Sequence, residues 1–360
     1  MKVYLVDGTY ELFRSYFALP PIQAPDGRPV GAGRGIVQSL LYLLREDQVT
    51  HIGCAFDHVV ESFRNDMFDG YKTGEGTPED LQVQFELAER AVEALGILVW
   101  PMIEFEADDA LATAAHRWQD DPSVEQVVIC SPDKDLAQMI RGKRVICLDR
   151  RREIIYDQDG VKDKFGVLPE SIPDYLGLVG DAADGIPGIP RWGSKTAGLV
   201  LSRYSHIESI PTDAKDWDVE VRGAAGIADS LAGRLDDALF YRQLATLRLD
   251  VELDESLEDL RWRGIDRNHF DQFCASLGIS ENIWPWVEIG NERHIFHFGG
   301  SRRKAFLQLA AGDEKIEVNE WYITLSGTHH GKPAWATDIK EWRIDLSVLD
   351  SLASLENTLG

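Results

Sequence analysis

Lys2-Val-Tyr-Leu-Val-Asp7-Gly8 is the stretch on which the fold turns. A short apolar run, Val3–Val6, ends on a carboxylate and a glycine, which reads as a strand closed by a turn. The same grammar recurs at His51–Phe56, Leu98–Met102, Val127–Cys130 and Arg144–Leu148. Between these runs, Gly35–Arg45, Pro78–Leu95 and Ala107–Trp118 carry apolar residues three and four apart, which predicts helices. Strands alternating with helices of this length imply right-handed crossovers and a mostly parallel α/β sheet flanked by helices. From 171 to 285 the pattern turns almost wholly helical, with Pro and Gly punctuation at 185–193 and acidic residues over 208–260. Beyond Pro285, Arg293–Phe298 and Glu320–Leu325 alternate polar and apolar residues and predict strands, with Gly299-Gly300 and Gly327 as turns.

The 360 residues allow two domains and a small third. The divisions expected are 1–170, 171–285 and an extension over 286–360. The formal net charge of −24 argues against loose adsorption to phosphate backbones, while leaving room for local basic patches around bound metal. Cys54, Cys130, Cys147 and Cys274 are far apart, so neither a disulfide framework nor a thiolate zinc site is expected. No apolar run approaches a membrane span and no secretory leader precedes the first strand, so the expectation is a cytoplasmic protein with no membrane partner.

The acids fall in informative places. Asp7 and Asp57 directly follow strands, and Asp133 and Asp135 follow Val127–Cys130 after a two-residue turn. Glu106, Asp108 and Asp109 open the helix Ala107–Trp118, and Asp181 and Asp184 flank a Gly-Asp-x-x-Asp-Gly turn. In an open parallel sheet the carboxyl ends of the strands line one ligand-binding edge. Any one of these residues could be a turn residue or a complement to a helix dipole. Together, without cations, they would repel one another strongly. Hard divalent ions relieve that repulsion, and a pair of them suits phosphoryl transfer. Arg64 and Lys72, in the stretch after Asp57, suit a scissile phosphate.

Gly185 to Thr196 superficially resembles a phosphate-binding P-loop, but Ser194 separates Gly193 from Lys195 and no strand precedes it. It reads better as a hairpin between helices, with Gly188, Gly193, Ser194, Lys195 and Thr196 placing backbone N–H groups and a helix N-terminus beside DNA phosphates. From Gly185 to Ile207 there is no acid, whereas Arg191, Lys195 and Arg203 are present. Further basic patches are Arg14, Arg28 and Arg34, and Arg141, Lys143, Arg144 and Arg150–Arg152. His294, His297, His329 and His330 fit alternating strands better than a zinc site, and Trp284-Pro-Trp286 reads as packing.

Leu5-Val-Asp7-Gly8, Phe13-Arg14-Ser-Tyr16, Ala55-Phe56-Asp57, Ser62-Phe63-Arg64 and Gly70-Tyr71-Lys72 resemble the 5′-nuclease family: the exonuclease domain of bacterial DNA polymerase I, phage 5′→3′ exonucleases and flap endonucleases. So do Phe105-Glu106-Ala107-Asp108-Asp109, Asp133-Lys134-Asp135, Gly180-Asp181-Ala-Ala-Asp184-Gly-Ile-Pro187-Gly188 and the segment Tyr241–Leu253. The likeness is collinear over about residues 1–280. It implies a PIN-like core with a helical arch, a helix–three-turn–helix (helix-hairpin-helix) DNA clamp, and two Mg2+ ions for which Mn2+ can substitute, with K+ a candidate at the clamp. It further implies a standalone, monomeric nuclease acting on DNA with a 5′ end, flap or branch. Asp7, Asp57, Glu106 and Asp108 would serve mainly the water-activating ion, and Asp109, Asp133, Asp135, Asp181 and Asp184 the second. Lys72 and Arg64 would be catalytic, and Arg14 and Arg34 would contact DNA. The sequence departs from the family at Arg34, Gly74-Glu75, Pro132, Gly185 and Arg191, none of them a metal ligand, which implies altered substrate preference. The alternatives are a structure-specific DNA-binding protein with weak catalysis, or a PIN-type ribonuclease.

Overall fold

The computed structural model describes residues 1–46, 49–265 and 267–277, together with short strands of backbone between 286 and 338. In chain order the elements are β1 (Lys2–Asp7), α1 (Gly8–Ala18), α2 (Gly31–Glu46), β2 (His51–Asp57), α3 (Phe63–Met67), α4 (Glu79–Gln82), α5 (Phe85–Ala94), β3 (Leu98–Met102) and α6 (Ala107–Trp118). They continue with β4 (Gln126–Cys130), β5 (Val145–Asp149), β6 (Ile154–Tyr156), α7 (Gln158–Phe165), α8 (Ile172–Val179), α9 (Ser194–Tyr204), α10 (Ala224–Ala232), α11 (Leu235–Ala245) and α12 (Arg267–Ser276).

The first sheet has the order β3-β2-β1-β4-β5-β6, parallel throughout except for the antiparallel edge strand β6. β1 lies at its middle, and Val3, Leu5 and Val6 are fully buried. That burial on both faces is why its apolar run is unbroken. The chain builds outward from β1 to β3, then returns through α6 to place β4 on the other side of β1. The strand order therefore reverses between β1 and β4, where a crevice opens at the carboxyl ends. α6 meets the sheet through Ala107, Ala110, Ala112, Ala114 and Ala115, all buried, so small side chains bring its first turn close to the strand ends.

Sequence and structure agree on the five parallel strands. They differ at Pro78–Leu95, which is split into α4 and α5 at Val83-Gln84. Buried Gln84 explains the break: its side-chain oxygen accepts from the N–H groups of Ala32 and Gly33, and its Nε2 donates to Asp80 O at 2.7 Å. Helix α1 is not marked by spacing, because its amphipathic face holds the buried polar residues Glu11 and Ser15. The segment expected to form an arch carries the short helices α3 and α4.

Residues 1–40 and 48–273 form one compact unit, whose core runs continuously from Val3 and Leu5 through α6 to Leu176, Leu201 and Leu260. The second unit comprises 41–47 and 274–360. In it, β7 (Trp286–Ile289), β8 (Glu292–Gly299), β9 (Lys304–Gln308), β10 (Lys315–Val318), β11 (Tyr322–Ser326) and β14 (Ala336–Asp338) form an antiparallel sheet in the order β14-β11-β10-β9-β8-β7. β12 (Thr328–His329) and β13 (Lys332–Pro333) form a hairpin. The two strands expected there correspond to β8 and β11. The readings of the histidines and of Trp284-Pro-Trp286 fall on side chains outside the described residues.

Candidate active site

Asp7 closes β1 and caps α1: its Oδ1 accepts from the N–H of Tyr10 at 2.8 Å and its Oδ2 from the Ser131 hydroxyl at 2.7 Å. Burial pushes its carboxyl up to about 7, with the charges of Asp57 and Asp133 adding to the shift. Asp57 closes β2 and accepts from the N–H of Ala107 at 2.7 Å, so it is held against the first turn of α6. Burial raises it too, with Lys72 opposing. Asp108, in that same turn, is pushed well above the usual range by burial and then by Asp133 and Asp7. Asp133 is exposed just past β4 and accepts from the N–H of Asp135 at 2.8 Å.

Glu106 is the junction of the crevice. Its Oε1 accepts from the Ser62 hydroxyl at 2.7 Å and its Oε2 from Lys72 Nζ at 2.7 Å, with the Tyr71 hydroxyl at 3.3 Å. Burial works against its charge, but Lys72 and Arg64 hold the carboxyl below its ordinary value. Lys72 Nζ also lies 3.3 Å from Asp184 Oδ1, so one ammonium spans from α6 to the turn after α8. Its charge persists against burial because Glu106 and Asp184 face it.

That turn is pinned by reciprocal backbone hydrogen bonds between Asp181 and Ile186, both 2.8 Å. Gly185 sits at φ +76°, and a Cβ there would lie 2.0 Å from the carbonyl oxygen of Gly70. Glycine is thus required where the chain departs from the family pattern. Asp135, Asp181 and Asp184 each offer an oxygen within 4.8 Å of the others. Asp135 Oδ1 is the one buried side-chain polar atom without a hydrogen-bond partner among the described residues. Burial, followed by Asp133, Asp184 and Asp181, raises the Asp135 carboxyl well above its usual value, and Asp184 is pushed up to about 6 by burial against the pull of Lys72.

Two expected members are tied to one another. Arg64, 1% exposed, makes a bidentate pair with Asp109 (Nη1–Oδ2 2.7 Å, Nη2–Oδ1 2.8 Å) and donates to the carbonyls of Leu244 and Thr246. Asp109, fully buried, also accepts from the backbone N–H groups of Glu106 and Arg248. These contacts fasten α6 to the end of α11 and the segment after it, and Arg64 Nη1 also lies 3.2 Å from Glu106 Oε1.

Among the expected DNA contacts, Gly188 is at φ +70°, where a Cβ would lie 2.5 Å from backbone atoms of Val179 and Gly180. Arg191 is exposed at φ 73°, a left-handed position that glycine adopts without strain, and its guanidinium lies over Gly226. Gly193 caps α9, and Ser194, Lys195 and Thr196 form its acid-free first turn at the surface. Arg34 is half-buried on α2. Arg14 pairs with buried Glu11, which Arg150 also contacts at 2.9 Å. Sequence reasoning assigned no role to Glu11, Ser62, Tyr71, Ser131 or Lys134. Ser131 and Lys134 adjoin the Asp133 and Asp135 motif, and Ser62 and Tyr71 adjoin Arg64 and Lys72, which is the signal that could have found them.

An acid-lined crevice at the carboxyl edge of a parallel sheet, joined to a helical hairpin region, defines an α/β protein of the resolvase-like kind. A sequence profile described as 5′-3′ exonuclease, N-terminal resolvase-like domain matches residues 2–166, and one described as 5′-3′ exonuclease, C-terminal SAM fold matches 167–268. The chain belongs to the 5′-3′ exonuclease family. It is 31% identical over 276 residues to the 5′-3′ exonuclease of Aquifex aeolicus, covering 76% of this chain and 91% of that one. It is 36% identical over 265 residues to DNA polymerase I of Pseudomonas aeruginosa, covering 71% of this chain but spanning only 28% of the polymerase. Among solved structures, T5 5′-exonuclease with bound zinc is similar with a TM-score of 0.56 at 16% identity, covering 76% of this chain and 97% of that one. The catalytic core of Rad2 with DNA substrate gives 0.52 at 12%, covering 78% and 88%. Among the described residues no helix is long and apolar enough to cross a membrane.

Proposed function

We propose that this protein is a divalent-metal-dependent 5′→3′ exonuclease and flap endonuclease that hydrolyses phosphodiester bonds in DNA bearing a free 5′ end. The observation that carries this reading is the buried, unpartnered Asp135 oxygen beside the carboxylates of Asp181 and Asp184. Such a donor set of hard oxygens fits magnesium-type ions, with manganese as a substitute. Asp7, Asp57, Glu106 and Asp108 would hold one ion, and Asp133, Asp135, Asp181 and Asp184 the other. Bound there, two divalent ions supply an activated water and charge neutralisation at the leaving oxygen.

The chain's own residues do the rest. Lys72, partly exposed between Glu106 and Asp184, offers an ammonium to the phosphate. Arg64 and Asp109 fix the first turn of α6, and with it Glu106 and Asp108. The N-terminus of α9, with Ser194, Lys195 and Thr196, grips a backbone phosphate without reading bases. Residues 1–170 are thus the catalytic part and 171–285 the DNA-gripping part of a cytoplasmic monomer. The T5 structure solved with zinc and the Rad2 core solved with DNA support the reading by likeness of fold.

The test is a labelled 5′-flap DNA with magnesium, comparing the unaltered protein with the Asp133→Ala, Asp135→Ala double variant. Loss of cleavage by about 1000-fold or more is expected, the scale on which a unit of catalytic ligands fails together. Full activity in the double variant would overturn the assignment.

A further inference from the structure

One cation of the crevice has no part in the two-ion reading. Lys134, between Asp133 and Asp135 in the chain, turns its ammonium onto Asp181 Oδ1 at 2.6 Å. The same oxygen accepts the N–H of Ala183 at 3.0 Å. The Asp181 side chain is 3% exposed while that of Lys134 is 35% exposed, so the lysine reaches in from the rim with its stem in solvent. In the other group Glu106 already has Lys72 at 2.7 Å and Arg64 at 3.2 Å, while Asp7, Asp57 and Asp108 have no lysine or arginine within ion-pairing distance among the described residues.

We propose that Lys134 is a positioning residue that acts as a tethered counter-cation of the Asp135–Asp181–Asp184 cluster, competing with the divalent ion there and lowering that ion's affinity. The inference rests on the two-ion reading above. Its physical basis is that an ammonium within hydrogen-bond distance of one ligand repels a divalent ion a few ångströms away and occupies a lone pair the ion could use. Asp135 Oδ1, left without a donor, shows that the lysine satisfies only part of the cluster. A cation can therefore still enter on the Asp135 side, but against a resident charge. The consequence is that this group fills more readily once a DNA phosphate draws the ammonium outward.

The experiment is calorimetric titration of the DNA-free protein with Mn2+, comparing the unaltered chain with Lys134→Met and Lys134→Gln. The glutamine retains a donor for Asp181 without the charge, so it separates competition from mere positioning. Both variants are expected to tighten one of two binding steps by about ten- to a hundredfold and to leave the other within about threefold. Melting curves without metal establish that both variants are folded. Two steps in the unaltered protein with no tightening, or with weakening, in both variants would overturn the lysine proposal and leave the two-ion reading intact. Absence of any divalent binding by the unaltered protein would overturn both. Tightening in methionine but not in glutamine would assign the effect to the lost hydrogen bond and overturn the charge argument.

Discussion

Asp109 and Asp135 are both buried aspartates beside the same crevice, yet their surroundings are opposite. Asp109 has a bidentate guanidinium and two backbone N–H groups on its oxygens. Asp135 has a buried oxygen with no donor and three further acids around it. A buried carboxylate with its donors in place joins parts of the chain: Arg64 and Asp109 connect α6 to Leu244, Thr246 and Arg248. A buried carboxylate without them is unstable in isolation, and the fold tolerates it where an external cation completes the set. The same residue type therefore serves as scaffold in one place and as ligand in the other, according to whether a partner arrives from within the chain.

Removing one partner of the satisfied pair should have the largest effect. Arg64→Met is expected to lower unfolding free energy by about 3–5 kcal/mol, because it strands Asp109 in the core. Denaturant unfolding at neutral pH checks this, and a loss under 1 kcal/mol would dissolve the contrast. The opposite sign is expected at the unsatisfied site. Asp135→Asn should stabilise the metal-free protein by about 1–3 kcal/mol, since it removes a buried unpaired charge. The same variant should lose the stabilisation that the parent gains from added Mg2+, which thermal melts with and without the ion will show. Gly185→Ala tests whether the turn is built for its place. A Cβ there meets the Gly70 carbonyl, so the turn must shift, costing about 1–2 kcal/mol and loosening the contact between Lys72 and Asp184.

The smallest effect is on pH dependence. Asp7 and Asp184 have folded-state values raised to about 7 and about 6 from 3.8. Because these values lie above the unfolded ones, the folded state holds protons more tightly. Their contribution to stability is fully present below about 3.8, falls as pH rises above it, and is gone once pH passes about 6 to 7. Metal-free melting temperature should therefore fall across that window, against the background of the other groups, and Asp7→Asn should flatten the fall. Saturating Mg2+ should remove most of it, and an unchanged slope in the presence of Mg2+ would argue against ion binding at these acids.

Much of this arrangement is legible along the chain. Val3–Val6 ending on Asp7, and His51–Phe56 ending on Asp57, announce strands whose carboxyl ends carry acids, because a parallel strand buried on both faces leaves an unbroken apolar run. α6 coincides with its predicted limits, since its alanines and leucines repeat with the helical period. α1 is not announced: burying Glu11 among Arg14, Arg150 and Ser39 breaks the apolar pattern on which the reading relies. The split between α4 and α5 is invisible for a similar reason, because it depends on Gln84 reaching Ala32 and Gly33.

By itself, the order of residues determined which acids stand at strand ends and helix starts, and therefore that they share one edge of a parallel sheet. Periodicity and turn chemistry are local properties, and the sheet's parallel geometry converts them into a shared location. Only the tertiary structure decided which of those acids are already satisfied. Arg64 looks like any arginine near a catalytic motif until the carbonyls of Leu244 and Thr246 arrive from some 180 residues away to hold it against Asp109. Lys134 likewise meets Asp181 only because the turn carrying Asp181 comes within ion-pairing reach of it. Charge pairing falls off within a few ångströms, so it is settled by approach in space, which spacing along the chain does not encode.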